Sequence, residues 1–298
     1  KISFTNIKRN ISALSKLAMA SHNAKKLLLE LKPDVVMGTG GYVSGPVLRQ
    51  AAKLGIKCCI HEQNAFAGVA NKMLAPKMDA VMLAMPEAEK YFDSKNKPIV
   101  TGNPVRTSVI NMDKATARKM LNLDDRPMIL SFGGSLGARR INETIADVMK
   151  WHWQSGEIVH YHATGKFGTE LMPQLLNEKG VDMNAENIRV TEYIDNMDVL
   201  LAAADLVICR SGAITISELA IQGKPAVLIP SPNVAENHQY HNAMTLKKAG
   251  AVRYTEGFDK VFSEIVIIFC FAAGASLVVD STSSDAGVSN NVICPGML

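Results

Sequence analysis

Short apolar runs alternate with helical stretches along most of this chain. Residues 34–37, 56–60, 80–83 and 99–100 read as strands, and so do 128–132, 158–161, 188–190, 206–208 and 226–229. Between them the spacing predicts helices. Residues 11–31 set Ile11, Leu14, Leu17, Ala18, Ala24, Leu28 and Leu31 three and four apart. Further helices are predicted over 45–55, 66–74, 138–150, 168–178, 197–203, 213–222 and 236–249. The strands are apolar throughout rather than every second residue. Such strands are buried on both faces, which means parallel sheets covered by helices and an α/β class.

The beat restarts after Gly102-Asn103-Pro104, a turn that reads as a domain exit. A chain of 298 residues is long enough for two domains, expected at 1–107 and 108–258. After about residue 258 the alternation fails, leaving an atypical tail over 259–298. Its apolar run, 265–279, is shorter than the roughly 20 residues of a spanning helix and reads as a buried strand or helix. Residues 281–291 read as coil. The chain opens at Lys1 with no initiator Met, so it is expected to be a fragment that starts upstream.

Apolar residues make up 47% and charged residues 20%, which excludes wholesale disorder. The net charge of +4 does not call for nucleic acid, though it suits an anionic ligand or membrane surface. Five cysteines, with no C-x-x-C and no Cys/His cluster, argue against a disulfide framework or structural zinc. A reducing compartment fits.

In open parallel sheets, ligands sit at the carboxyl ends of strands. Three loops there are rich in glycine or small polar residues: 38–45, 133–139 and 210–213. Glycine lets backbone N–H groups approach a phosphate, and a following helix N-terminus favours negative charge. Each loop alone reads equally as a tight turn; three together point to a phosphate site. The dinucleotide fingerprint fails because Val43 stands where its third glycine belongs. Walker A fails after both Gly165-Lys166 and Gly223-Lys224. Glu218, six residues past Gly212, could accept from a ribose diol or could merely favour the helix macrodipole. His61-Glu62-Gln63-Asn64 and the polar run 236–242 could read sugar hydroxyls or serve as loop and cap residues. His160 and His162 share one face of a strand and read as a satisfied, semi-buried pair.

The loops in this order resemble the MurG family of bacterial N-acetylglucosaminyltransferases. The resemblance rests on Lys32-Pro33-Asp34-Val35-Val36, Gly40-Gly41-Tyr42-Val43-Ser44-Gly45-Pro46 and His61-Glu62-Gln63-Asn64. It continues through Thr101-Gly102-Asn103-Pro104-Val105-Arg106 and Gly133-Gly134-Ser135-Leu136-Gly137-Ala138-Arg139. Tyr193 to Met197, Cys209 to Ala213, Ser217-Glu218, Gln239-Tyr240 and Asn242-Ala243 complete it, over roughly residues 20–255.

The resemblance implies a GT-B fold: two Rossmann-like parallel-sheet domains facing across a cleft, the first incomplete here. It implies inverting transfer from UDP-N-acetylglucosamine to undecaprenyl-diphospho-N-acetylmuramoyl-pentapeptide (lipid I), giving lipid II for peptidoglycan. It implies no metal or other cofactor, and a peripheral place on the cytoplasmic membrane face. Carried over by motif, Asn64 and Arg106 face the donor and Ser135 contacts the diphosphate. Ile194 meets uracil through its backbone. Ala213, Ile214, Thr215, Ile216, Ser217 and Glu218 line the nucleotide-sugar, with Glu218 on the ribose. Gln239 holds sugar hydroxyls, and His238 stands where the family often has a second Gln.

Two departures qualify the likeness. The family's Gly-Gly-Thr-Gly-Gly-His loop, with its candidate base, is expected upstream of Lys1, so little lipid II synthesis is expected from this chain. The family's C-terminal helices do not show after residue 258. The alternatives are a UDP-sugar-binding remnant without activity and another GT-B enzyme, such as a glycolipid synthase or sugar-nucleotide epimerase. Lys8, Arg9, Lys16, Lys25 and Lys26 interleave with Leu14 and Leu17, as for a membrane-facing patch or an ordinary amphipathic helix.

Overall fold

The computed structural model describes residues 7–248 and 253–254, with side chains from Ser15 to Lys248. The tail over 259–298 and the side chains of Lys8, Arg9, Ile11 and Leu14 lie outside the described residues. Two compact units form. One holds residues up to 106 together with 211–218 and 231–248; the other holds 107–210, 219–230 and the strand at 253–254.

The first unit runs α1 (Ile7–Leu31), β1 (Val35–Gly38), α2 (Gly41–Lys53), β2 (Lys57–Glu62), α3 (Val69–Leu74), β3 (Ala80–Leu83) and β4 (Ile99–Val100). Its strands pair in parallel in the order β1-β2-β3-β4. Leu28 of α1, Leu48 and Ala51 of α2, Ile60 of β2 and Val81 of β3 form its core. Each such large side chain contributes roughly 1.5–3 kcal/mol by leaving water.

Two helices start where the sequence does not predict. The sequence reading starts this helix at Gly45, yet α2 begins at Gly41. Gly40 and Gly41 take φ of 90° and 76°, a region open to glycine. The chain therefore turns from β1 straight into the helix, and Ser44 Oγ donates to the Gly40 carbonyl at 2.6 Å. Helix α3 begins at Val69 rather than 66 because residues 64–68 wrap the Glu62 carboxylate. The amides of Asn64 and Gly68 donate to it at 3.1 and 3.0 Å.

The second unit contains α4 (Thr107–Asn111), α5 (Lys114–Met120), β5 (Met128–Phe132), α6 (Arg139–His152), β6 (Val159–Ala163), α7 (Leu171–Glu178), β7 (Ile188–Thr191), α8 (Met197–Ala203) and β8 (Leu206–Cys209). There follow α9 (Ala213–Ile221), β9 (Ala226–Leu228), α10 (His238–Lys248) and β10 (Arg253–Tyr254). Residues 213–218 of α9 and all of α10 pack with the first unit. The sheet is parallel throughout, in the order β10-β9-β8-β5-β6-β7. Counted from β5, that is the doubly wound order 3-2-1-4-5-6. Ile129, Ile208 and Val227 of the sheet pack on Ile141, Ile145 and Met149 of α6. No helix among the described residues is long and apolar enough to cross a membrane.

Candidate functional site

Strand order decides where a ligand can enter the second unit. Strand β5 is flanked by β6 on one side and β8 on the other. The chain thus leaves β5 and β8 in opposite directions, opening a crevice at their carboxyl ends. The loop 133–138 stands there, between Phe132 and the start of α6. It is held by its carbonyls. Gly134 accepts from the Gly137 amide at 2.9 Å, and Ser135 and Leu136 accept from the Lys166 and Phe167 amides at 3.1 Å. The loop's amides at Ser135 and Leu136 carry none of these bonds. Ser135 is exposed. Ile194, three residues past the end of β7, is buried at the same end of the same sheet. Arg210, just past β8, spends its guanidinium on the Ile229 and Pro230 carbonyls at 3.0 and 2.9 Å. Its burial lowers its pKa. It ties two strand exits together.

The first unit gathers the other predicted residues. The end of β2 delivers His61 and Glu62, both buried. His61 Nε2 lies 2.9 Å from the Gly102 carbonyl, which can only accept, so this nitrogen carries the proton. Its Nδ1 accepts from the Gln63 amide at 3.0 Å. Both ring nitrogens are occupied. Glu62 accepts from the amides of Asn64 and Gly68 and from the side chains of Asn64 and Asn71, at 2.9–3.2 Å.

Asn64 is held from both ends. Its Nδ2 donates to Glu62, and its Oδ1 accepts from Asn242 Nδ2 at 3.0 Å. Asn242 also donates to the Ser211 carbonyl and accepts from the Ala65 amide. Gln239, on the same helix, accepts from the Ser231 amide at 2.8 Å, and its backbone carbonyl accepts from Ser211 Oγ. Asn103 Nδ2 reaches the Ala213 carbonyl at 3.2 Å and Ser217 Oγ at 2.9 Å, fixing the first turn of α9.

Arg106 and Glu218 form an ion pair at 3.6 Å, with the arginine 55% exposed and the carboxylate 12%. Burial raises the Glu218 pKa, and Arg106 opposes that rise. A cleft of about 560 Å³ is lined by His61, Gln63, Gly102, Asn103 and Ile214. Along α9, Ile214 is exposed and Ile216 is buried. Thus Asn64, Arg106, 213–218 and Gln239 belong to the first unit, and Ser135 and Ile194 to the second. Sequence reading missed Asn242 and Asn103 as site-shaping residues, although both stand inside motifs it singled out.

Comparison with known proteins gives the family. The N-terminal domain of glycosyltransferase family 28 matches residues 1–83, and its C-terminal domain matches 128–261. A protein of Ruminiclostridium cellulolyticum is 45% identical over 257 residues, covering 84% of this chain and 69% of the relative. Its name is UDP-N-acetylglucosamine--N-acetylmuramyl-(pentapeptide) pyrophosphoryl-undecaprenol N-acetylglucosamine transferase. The crystal structure of Acinetobacter baumannii MurG matches at 31% identity with a TM-score of 0.67, covering 86% of this chain and 71% of that one. The chain belongs to the MurG family. A relative of the same name from Acetivibrio thermocellus is 44% identical over 80% of this chain. The chain spans 64% of that relative's length, so it matches about two thirds of a MurG protein. The fold of two parallel-sheet units is the GT-B arrangement of MurG proteins. It extends to a UDP-GlcNAc 2-epimerase from Neisseria meningitidis, with a TM-score of 0.62 at 14% identity, a likeness of fold alone.

Proposed function

We propose that this chain binds UDP-N-acetylglucosamine and takes part in inverting transfer of its sugar to lipid I at a membrane surface. The observation that carries the reading is the glycine-rich loop 133–138 at the switch point of a 3-2-1-4-5-6 sheet, in a chain of the MurG family. Amides at that loop and at the start of α6 suit a diphosphate whose charge grows as UDP leaves. In this reading Ser135 contacts the diphosphate and Ile194 meets the uracil. Glu218 accepts from the ribose diol, with 213–217 beside it, while Gln239 reads sugar hydroxyls. Asn64 and Arg106 face the donor. Arg106 balances Glu218 until a ribose takes its place.

The reaction needs an acceptor hydroxyl oxygen to attack the anomeric carbon, a base to take that hydroxyl's proton, and UDP to leave from the opposite face. His61 is not that base, because Gly102 and Gln63 already use both of its nitrogens. Residues 1–107 are read as the acceptor-side domain and 108–258 as the nucleotide-side domain. Lys16, Lys25 and Lys26 on α1, with Leu17 exposed among them, support contact with an anionic membrane surface.

Donor binding and transfer are tested separately. UDP-N-acetylglucosamine is expected to raise the melting temperature, and Glu218→Ala to shrink that rise. No rise with any uridine nucleotide overturns the donor site. For transfer, little label from the donor sugar is expected in the lipid fraction when a lipid I analogue is present, since His61 cannot serve as the base. Robust labelling of the lipid overturns that expectation.

A further inference from the structure

A line of buried side chains runs beneath the 133–138 loop, and its hydrogen bonds have a single direction. The Thr164 carbonyl can only accept, so Asn142 offers it Nδ2 at 3.1 Å. That turns Asn142 Oδ1 toward His162 Nε2 at 3.2 Å, and this nitrogen must carry a proton. His162 Nδ1 then accepts from the Ser131 hydroxyl at 2.8 Å. Ser131 Oγ in turn accepts from His160 Nε2 at 2.8 Å, and His160 Nδ1 accepts from His152 Nε2 at 3.0 Å. The line ends at His152 Nδ1, a buried acceptor with no partner. The other tautomer of His162 would give its Nδ1 proton to the Ser131 carbonyl, 3.2 Å away. It would also set a bare Nε2 against Asn142 Oδ1. Burial keeps His152 and His162 neutral, with pKa values pushed down to about 4, and lowers His160 as well.

The other end of the line lies under the loop. Gly137 and Gly165 both have positive φ, 82° and 68°, and pack backbone on backbone. A side chain on Gly137 would run into the Thr164 carbonyl, and one on Gly165 would run into Gly137. Residues 164–167 therefore act as a template for the loop, through this contact and the two bonds from the Lys166 and Phe167 amides. Asn142, in the first turn of α6, is the side chain that fixes the template's first carbonyl.

We propose that Asn142 is a positioning residue for the diphosphate of a bound nucleoside diphosphate, acting through the Thr164 carbonyl on the 133–138 loop. The proposal rests on the reading that this loop holds the diphosphate. Its test is calorimetric titration of the full chain with UDP and with uridine, which lacks the phosphates. The wild type is expected to prefer UDP. Asn142→Leu is expected to lose about tenfold in UDP affinity with uridine affinity unchanged, the scale of one hydrogen bond to a charged ligand's cradle. An Asn142→Leu protein that keeps the full preference, or loses both ligands equally, overturns the proposal and leaves the loop reading standing. A wild type with no preference for UDP overturns both. Should the variant fail to fold, nitrogen-15 spectra of the wild-type histidines decide. Three neutral Nε2–H imidazoles between pH 5 and 7 are expected, and a Nδ1–H tautomer at His162 overturns the proposal.

Discussion

The two sheets use the same parallel ladder and do different things with it. In the first, the described strands pair in chain order, and β1 leaves Val35 57% and Met37 54% exposed. In the second, the order reverses beside β5, and β5, β8 and β9 are buried at every residue. The polar groups differ accordingly. At the end of β2 the motif side chains bond one another: Glu62 has four donors, His61 two partners, and Asn242 three. At the end of β5 the loop spends its carbonyls, and the amides of Ser135 and Leu136 take no part in those bonds, as the proposed anion site requires. A motif can be a brace or a grip, and hydrogen-bond partners distinguish the two.

The sharpest break of this comparison is Glu62→Ala. It takes the acceptor from four donors, although Asn71 Nδ2 keeps the His61 carbonyl and Gly68 is exposed, and each buried donor left unpaired is worth about 1–3 kcal/mol. A loss of roughly 4 kcal/mol from the first unit is expected in urea unfolding, with the second unit's transition unmoved. A loss below about 1 kcal/mol would mean that the brace is decorative.

Acid sharpens the comparison next. His152 and His162 are held near pKa 4 in the fold against about 6.5 when unfolded. The unfolded chain therefore binds more protons between those values, so stability is full above pH 6.5 and falls as pH drops toward 4. A few kcal/mol at most is at stake, and the second unit is expected to unfold first. Stability of that unit unchanged from pH 7 to pH 4.5 would contradict the neutral line.

Glu218→Ala tests the proposed ribose contact, which lies in the first unit. Removing a charged acceptor from a ribose costs about 2 kcal/mol, or roughly thirtyfold in UDP-N-acetylglucosamine affinity by calorimetry. Stability is expected to move little, since its ion pair with Arg106 is half-exposed. The smallest effect is at Asp113, whose carboxylate caps α5 by accepting from the Thr116 amide at 2.9 Å. Asp113→Ala is expected to cost about 1 kcal/mol of second-unit stability and no donor affinity.

Most strands were legible because continuous apolar runs admit few other readings, as at Met128–Phe132 and Leu206–Cys209. Helix starts were less so. The helix read from Gly45 starts at Gly41, where two glycines turn the chain, and the helix read from Phe66 starts at Val69, because a buried carboxylate captures residues 64–68. The glycine loop at 133–138 was legible from composition, and its place at the strand-order reversal was not, since no local pattern encodes strand order. The pairing of Asn64 with Asn242 joins residues 178 apart in the chain, beyond the reach of spacing arguments. His160 and His162 were visible as a pair on one face. The line they belong to was not, since it needs His152 and Asn142 from α6 and Ser131 from β5.

A structure of the chain with UDP-N-acetylglucosamine bound tests the central claim most directly. The account predicts the diphosphate against the amides of Ser135 and Leu136 in the second unit. A diphosphate seated in the first unit's cleft beside His61 and Asn103, with the 133–138 loop empty, would contradict it.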